Sequence, residues 1–209
     1  MNVQSTMTTE LFDEAPDDTR AAIMQATYRA LCEHGYAGLT IQRIGDEFPK
    51  SKSLLYHHYD GKDDLLLDFL SFMLDRFRET VLRWESEAPE TRLRELIDYV
   101  VPVDADDERH EFRKAMVELR AGAATDEAYR EHFTESDRFF QDEVASVIAE
   151  GVDRGDVGDV DPAAVAAHLQ TTFEGWMVRS ATADFDAEAR VLRSELHRYV
   201  DALVAEDGR

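Results

Sequence analysis

From Asp18 onward, apolar side chains recur at three-to-four-residue spacing, beginning with Ile23, Ala26, Ala30 and Leu31. That period predicts an amphipathic helix, with Asp17 or Asp18 able to cap its start and Gly35 able to stop it in a left-handed turn. Ile41, Ile44 and Phe48 form one face of a short helix behind Thr40, an N-cap type; Pro49 ends it, and Ser51 caps a second short helix over Lys52–His58. Asp60 and Gly61 break the chain before a long helix that starts near Lys62 and places Leu65, Phe69, Phe72, Met73, Phe77, Val81 and Trp84 on one broad face. Pro89 marks its exit. Helical spacing returns over Leu93–Val100, Phe112–Leu119 and Tyr129–Ile148, with loops expected at 101–108 and 150–162. Asp161 caps and Pro162 opens a further helix, proline at its favoured first position. A last helix groups Leu192, Leu196, Tyr199 and Leu203. No strand pattern and no internal repeat occurs. The expected fold is all-α, with about nine helices and a polar, acidic arm over residues 1–16.

Composition changes the picture through charge. Asp and Glu number 45 against 23 Lys and Arg, a net −22. Such a chain repels itself in dilute buffer, whereas in molar salt the Debye length is about 3 Å and the repulsion is screened. The acid is spread along the whole chain, which points to the salt-adapted cytoplasm of a halophile, a halophilic archaeon being the expected source. Cys32 is the single cysteine, so no intramolecular disulfide forms, in keeping with a reducing interior. The N-terminal residues lack a signal-peptide pattern. The greasiest run, LLLDFLSFML at 65–74, is too short to span a bilayer and carries Asp68. A cytoplasmic protein with no membrane partner is expected.

Against this acidity, three of the four lysines (Lys50, Lys52 and Lys62) fall within thirteen residues, interleaved with Tyr56, His57, His58 and Tyr59. From Thr40 to Lys62, four cations face three carboxylates, so the segment is slightly basic while the rest is deeply acidic. Two short helices joined by a tight turn have the outline of a helix-turn-helix. In that motif the first helix braces on the nucleic-acid backbone and the second points its opening turn at base edges in the major groove. Helix N-terminal amides and lysines favour phosphates. The lysines are rationed to where a polyanion docks.

The stretch TRAAIMQATYRALCEHGYAGLTIQRIGDEFPKSKSLLYHHYDGKDDLLLDFL resembles the DNA-binding domain of TetR-family transcriptional regulators. The pieces match in order: a helix ending in Gly-Tyr, Leu-Thr-Ile before Ile-Gly, Ser-Lys-x-x-Leu-Tyr-x-His-Tyr, then Lys-x-x-Leu-Leu. The match covers roughly residues 18 to 70. The resemblance implies that Thr40, Tyr56 and Lys62 hold phosphates, and that Arg43, Ser51, Lys52, Ser53 and His57 sit at or near base edges. Pro49 stands where the family commonly has glycine, and Leu54 where it has a small or polar residue; a leucine can instead touch a thymine methyl. The resemblance divides the chain into the arm at 1–16, a helix-turn-helix domain at 17–62 and a larger helical effector-binding and dimerisation domain at 63–206. It implies a homodimeric repressor that binds a palindromic operator in double-stranded DNA and is released by a small, largely hydrophobic effector.

For the effector, Phe69, Phe72, Met73, Met116, Phe133, Phe173 and Trp176 are the candidate pocket residues, adaptable methionine beside bulky aromatics. The same spacing also describes ordinary core. For the dimer, Leu169, Leu192, Leu196, Tyr199 and Leu203 on the last two helices are the candidates, packed as a four-helix bundle. No GxSxG, GxxxxGK or GxGxxG motif is present, and no H-E-x-x-H. The Asp-rich stretch 153–161 does not fit calcium-loop spacing. No enzyme, metal or cofactor is expected. The rival reading is a helical interaction protein without sequence-specific DNA binding.

Overall fold

The computed structural model describes residues 18–83, 88–103, 107–183 and 186–204. The acidic arm expected over residues 1–16 lies outside them. Among the described residues there are nine helices: α1 (Thr19–Gly38), α2 (Ile41–Glu47), α3 (Lys52–His58), α4 (Lys62–Arg83), α5 (Pro89–Val100), α6 (Asp107–Gly122), α7 (Glu127–Arg154), α8 (Pro162–Thr182) and α9 (Asp186–Leu203). The sole extended feature among them is one antiparallel bridge, Val157 to Val204. Among the described residues, no helix is long and apolar enough to cross a membrane.

Local chemistry sets the helix starts. The Asp18 carboxylate accepts from the Ala21 amide at 2.7 Å, Thr40 Oγ1 from the Arg43 amide at 3.2 Å, and Asp161 from the amides of Ala163 and Ala164 at 3.0 and 3.3 Å. Each bond satisfies a donor that the first helical turn leaves without an intrahelical partner. Pro162 and Pro89 each open a helix, where a missing N–H costs nothing. Within α1, Gly35 departs from helical geometry at φ 64°, ψ 172°. A side chain there would be strained. The chain turns at that point, and helical residues resume to Gly38 rather than ending at 35.

Two boundaries differ from the sequence reading. Residues 150–154, read as loop, are the last turn of α7, and residues 107–108, also read as loop, begin α6. The α7 extension is held by tertiary contact. Gly151 is buried, and a Cβ on it would lie 2.5 Å from Val157 Cγ2 and 3.4 Å from Pro89 Cβ. A glycine that looks like a helix breaker is there to let two segments approach.

The described residues fall into two compact units. The first holds 18–78 with 107–134, the second 79–103 with 135–204; α4 and α7 contribute to both. In the first, α1 packs along α6 and against α2, and α2 against α3. Its core includes Ile23, Met24, Leu31, Ile44, Leu55, Leu65, Leu66 and Phe69. The α3 helix is only seven residues long and would not hold alone in water. Leu55, fully buried, is what fixes it to the unit.

In the second unit, α5 packs on α9. Arg94 binds Glu90 and Asp201, while Asp98 receives His197 Nε2 at 2.8 Å and Arg193. Arg92, 8% exposed, pairs with Glu150. Hydrogen bonds from Arg92 and Arg154 hold the Glu150 carboxyl below its ordinary value. The Gly158 amide closes the unit on the Leu203 carbonyl at 2.8 Å.

Candidate nucleic-acid interface

The candidate interface is built by α2, α3 and the turn between them. Ile44 and Gly45 turn inward from α2, Leu55 from α3. Once Leu55 points into the core, helical geometry sends Ser53, Tyr56 and His57 to the outside, while Lys52, three residues before Leu55, leaves from the edge of the inner face. All four are exposed, Tyr56 at 64%. Leu54 is half-buried against the core. Pro49 and Lys50 form the exposed turn.

Ser51 caps α3, its hydroxyl accepting from the Ser53 amide at 3.4 Å and lying 2.8 Å from the Ser53 hydroxyl. Thr40 does the same for α2. Gln42 and Arg43 in the opening turn of α2, and Ser51, Lys52 and Ser53 at the start of α3, are exposed.

The cations are held within the chain. Lys50 Nζ donates to Thr19 Oγ1 at 3.0 Å. Arg43 donates to the Gly38 carbonyl, and Lys52 pairs with Asp46. The Lys62 ammonium lies 4.3 Å from the centre of the Tyr36 ring, a cation–π contact.

A clamp that the sequence reading missed sets the base of the motif. Tyr59 follows α3, and its hydroxyl donates to Asp68 Oδ2 at 2.6 Å. Arg20 grips the same carboxylate with Nε at 3.1 and 3.2 Å and Nη2 at 2.7 Å. One α4 carboxylate thus joins α1, α3 and α4. Burial works against the Asp68 charge, but the bonds from Arg20 and Tyr59 outweigh it and hold the carboxyl below its ordinary value. Burial, then the Asp68 bond, pushes the Tyr59 hydroxyl up. The signal was present: Asp68 is an acid inside an otherwise greasy run, and a half-buried acid needs donors.

Two further bonds tie the motif to α6 and α7 within this unit. The Tyr36 amide donates to Glu118 at 3.2 Å, and the Tyr129 hydroxyl to Asp63 at 3.3 Å.

Of the candidate pocket residues, five lie in the first unit. Phe69 is fully buried, edge-on to Phe112 at 6.2 Å between centroids; Phe72 is covered by Arg20 and Arg76, and Phe133 by Arg120. Met73 and Met116 are half-buried beside this core. Phe173 and Trp176 are buried in the second unit, Phe173 edge-on to Phe140. Of the candidate dimer residues, Leu169, Leu196 and Leu203 are buried within the chain itself, while Leu192 and Tyr199 are half-buried, Tyr199 against His168. The large apolar side chains that α8 and α9 leave exposed are Val178, at 43%, and Val191, at 62%.

Comparison with known proteins agrees with this geometry. Residues 23–69 match the model for bacterial regulatory proteins of the tetR family, and residues 89–205 match the C-terminal model of BetI-type transcriptional repressors. The chain is 25% identical over 170 residues to the HTH-type transcriptional repressor AcnR of Corynebacterium glutamicum, covering 81% of this chain and 85% of that protein. It is 28% identical over 175 residues to AcnR of Corynebacterium diphtheriae, covering 83% and 87%. A crystal structure of a TetR transcription regulator from Haloarcula marismortui superposes with a TM-score of 0.79 at 39% identity, over 90% of this chain and 98% of that one. A transcriptional regulator from Saccharomonospora viridis, solved in complex with choline, shares the fold with a TM-score of 0.75 at 19% identity, over 90% and 98%. These relatives are regulators rather than enzymes, and the chain belongs to the TetR family of transcriptional regulators, with a helix-turn-helix DNA-binding segment and a repressor-type C-terminal region.

Proposed function

We propose that the protein is a ligand-responsive repressor that binds a palindromic DNA operator as a homodimer in a salt-rich cytoplasm and is released by a small, largely hydrophobic effector. The observation that carries this reading is the exposed outer face of α3, with Lys52, Ser53, Tyr56 and His57 presented by a helix anchored through Leu55. In this reading Thr40, Tyr56 and Lys62 meet phosphates, and Arg43, Ser51, Lys52, Ser53 and His57 work at or near base edges in the major groove. DNA binding resides in 17–62, and effector binding with dimerisation in 63–206. The family match and the 39%-identical Haloarcula structure support the regulator and the salt-adapted setting.

Dimerisation uses the outward side of α8 and α9, with Val178 and Val191 joining Leu192 and Tyr199. The two-fold axis then requires half-sites about one helical turn apart or a small multiple of it. Phe69, Phe72, Met73, Met116 and Phe133 supply the apolar lining for the effector. An effector releases DNA only if it binds the two states of the protein with different affinity. Choline, the ligand of the Saccharomonospora regulator, belongs in the effector screen beside apolar compounds.

The test is selection from a random duplex pool in molar potassium chloride with wild type, Lys52→Ala and His57→Ala. Enrichment of a palindrome, weakened by either substitution, is the expected result. A folded dimer that enriches no sequence at any salt would overturn the reading and favour a helical interaction protein.

A further inference from the structure

We infer that Asp46 is a specificity-determining residue of the reading head: it holds Lys52 as an internal ion pair that DNA must exchange, and so makes binding both selective and tolerant of salt. The inference rests on the DNA-binding reading above.

Two independent features place Lys52 in this stowed position. The first is charge. Lys52 Nζ is paired with the Asp46 carboxylate across the turn, from the first turn of α3 back to α2. The second is shape. The Lys52 stem lies over Gly45 beside Leu55, where a Cβ would stand 3.1 Å from Lys52 Cγ, 3.2 Å from Lys52 Cδ and 3.3 Å from Leu55 Cδ1. The absence of a side chain at 45 makes the trough in which the stem rests. The head's other cations are held differently: Lys50 by a hydroxyl, Arg43 by a carbonyl and Lys62 by a ring face. Lys52 is the one these contacts give to a carboxylate.

The consequence follows from counting ions. A free lysine that meets a phosphate releases a condensed cation from DNA, and this is what makes affinity fall with salt. Lys52 starts instead on Asp46. When it moves to DNA, a phosphate loses its counterion while the Asp46 carboxylate is uncovered and takes one up. The two changes oppose, and Lys52 adds little to the salt dependence. The exchange also discriminates. A random duplex that offers Lys52 a single phosphate gains no net ion contact, because a carboxylate was already in place. A site that offers Lys52 an additional base acceptor does gain one. In a chain of net charge −22, this exchange complements the general repulsion that suppresses non-specific binding.

The experiment compares full-length wild type, Asp46→Asn, Lys52→Gln and Asp46→Asn/Lys52→Gln. Binding is measured to a labelled random duplex pool and to any duplex that wild type enriches from it. Potassium chloride runs from about 0.1 M to about 1 M, over which the Debye length falls from about 10 Å to about 3 Å. Asp46→Asn is expected to tighten random-duplex binding by about two- to five-fold at the low end, the range of an exposed ion pair. It should also steepen the slope of log affinity against log salt by about 0.9 for each reading head. In the Lys52→Gln background, Asp46→Asn has no further effect. If its gain persists there, Asp46 acts only by its field on DNA, and the inference is overturned. An unchanged slope in Asp46→Asn overturns it as well while leaving the regulator reading intact. No binding by any variant at any salt removes that reading and this inference together.

Discussion

The Arg20–Asp68–Tyr59 clamp is open to a quantitative test through Asp68→Asn. The substitution keeps the shape and removes the charge and one acceptor. Asp68 Oδ2 receives the Tyr59 hydroxyl at 2.6 Å in a half-buried setting. A hydrogen bond to an ionised group there is worth about 1.5 kcal/mol. The Arg20 pair is bidentate, but the two side chains are 45% and 30% exposed, so it is discounted to about 0.5 kcal/mol. Together the loss is about 2 kcal/mol, or a Tm lower by about 4–8 °C for a chain of this size. The assay is urea and thermal unfolding in low and molar potassium chloride. Salt screens the exposed arginine share and leaves the tyrosine share, so about 1.5 kcal/mol remains at high salt. A double-mutant cycle with Tyr59→Phe should show coupling of about 1 kcal/mol. Because Tyr59 follows the recognition helix, Asp68→Asn should also weaken DNA binding at temperatures where the protein is still folded. Asp68→Asn within about 0.5 kcal/mol of wild type, or strict additivity with Tyr59→Phe, would refute the clamp.

The same carboxylate gives a pH prediction. Asp68 has a folded value below the unfolded value of about 3.9, so its contribution is complete above that pH and is lost as pH falls through the folded value. Acid titration of stability should therefore be shallower in Asp68→Asn than in wild type below about pH 4. Gly151→Ala drives a methyl into Val157 Cγ2 and should cost about 1–3 kcal/mol in thermal unfolding; Gly151→Ala with Val157→Ala should recover part of it. Thr40→Ala removes the α2 cap and should cost about 1 kcal/mol, with Thr40→Ser close to wild type in both unfolding and duplex binding.

What the sequence made legible is what depends on near neighbours. Thr40, Ser51 and Asp161 were readable as caps because a cap needs only its own next turn. The bounds of α3 were readable because Ser51 and the Asp60–Gly61 break stand next to it. The clamp was not, since Arg20 and Asp68 lie 48 residues apart. The last turn of α7 was hidden for a related reason: Gly151 reads locally as a breaker, and only the approach of Val157 and Pro89 explains it as a packing residue. Periodicity located the apolar faces of α8 and α9 without saying what covers them. Leu169, Leu196 and Leu203 are buried in their own chain, and Val178 and Val191 are left outside.

Salt pulls on this head in two opposing directions, and the residues on α3 suit the balance. At low salt the field of a −22 chain opposes approach to DNA, and the proposed dimer doubles that charge. At high salt that field collapses within a few ångströms, but so does the gain from displacing counterions. A head rich in lysine would answer the first problem and fail at the second. From Thr40 to Lys62 there are only four cations, Arg43, Lys50, Lys52 and Lys62, so few condensed counterions are displaced from DNA in either regime. Affinity must then come from contacts that salt screens weakly. In the proposed reading the exposed His57 and the half-buried Leu54 are of that kind, a ring and methyls for base edges, while Tyr56 brings an uncharged hydroxyl to the phosphates. Under that reading, the contacts that survive high salt are also the ones that read sequence, which ties salt tolerance to specificity in the same short helix.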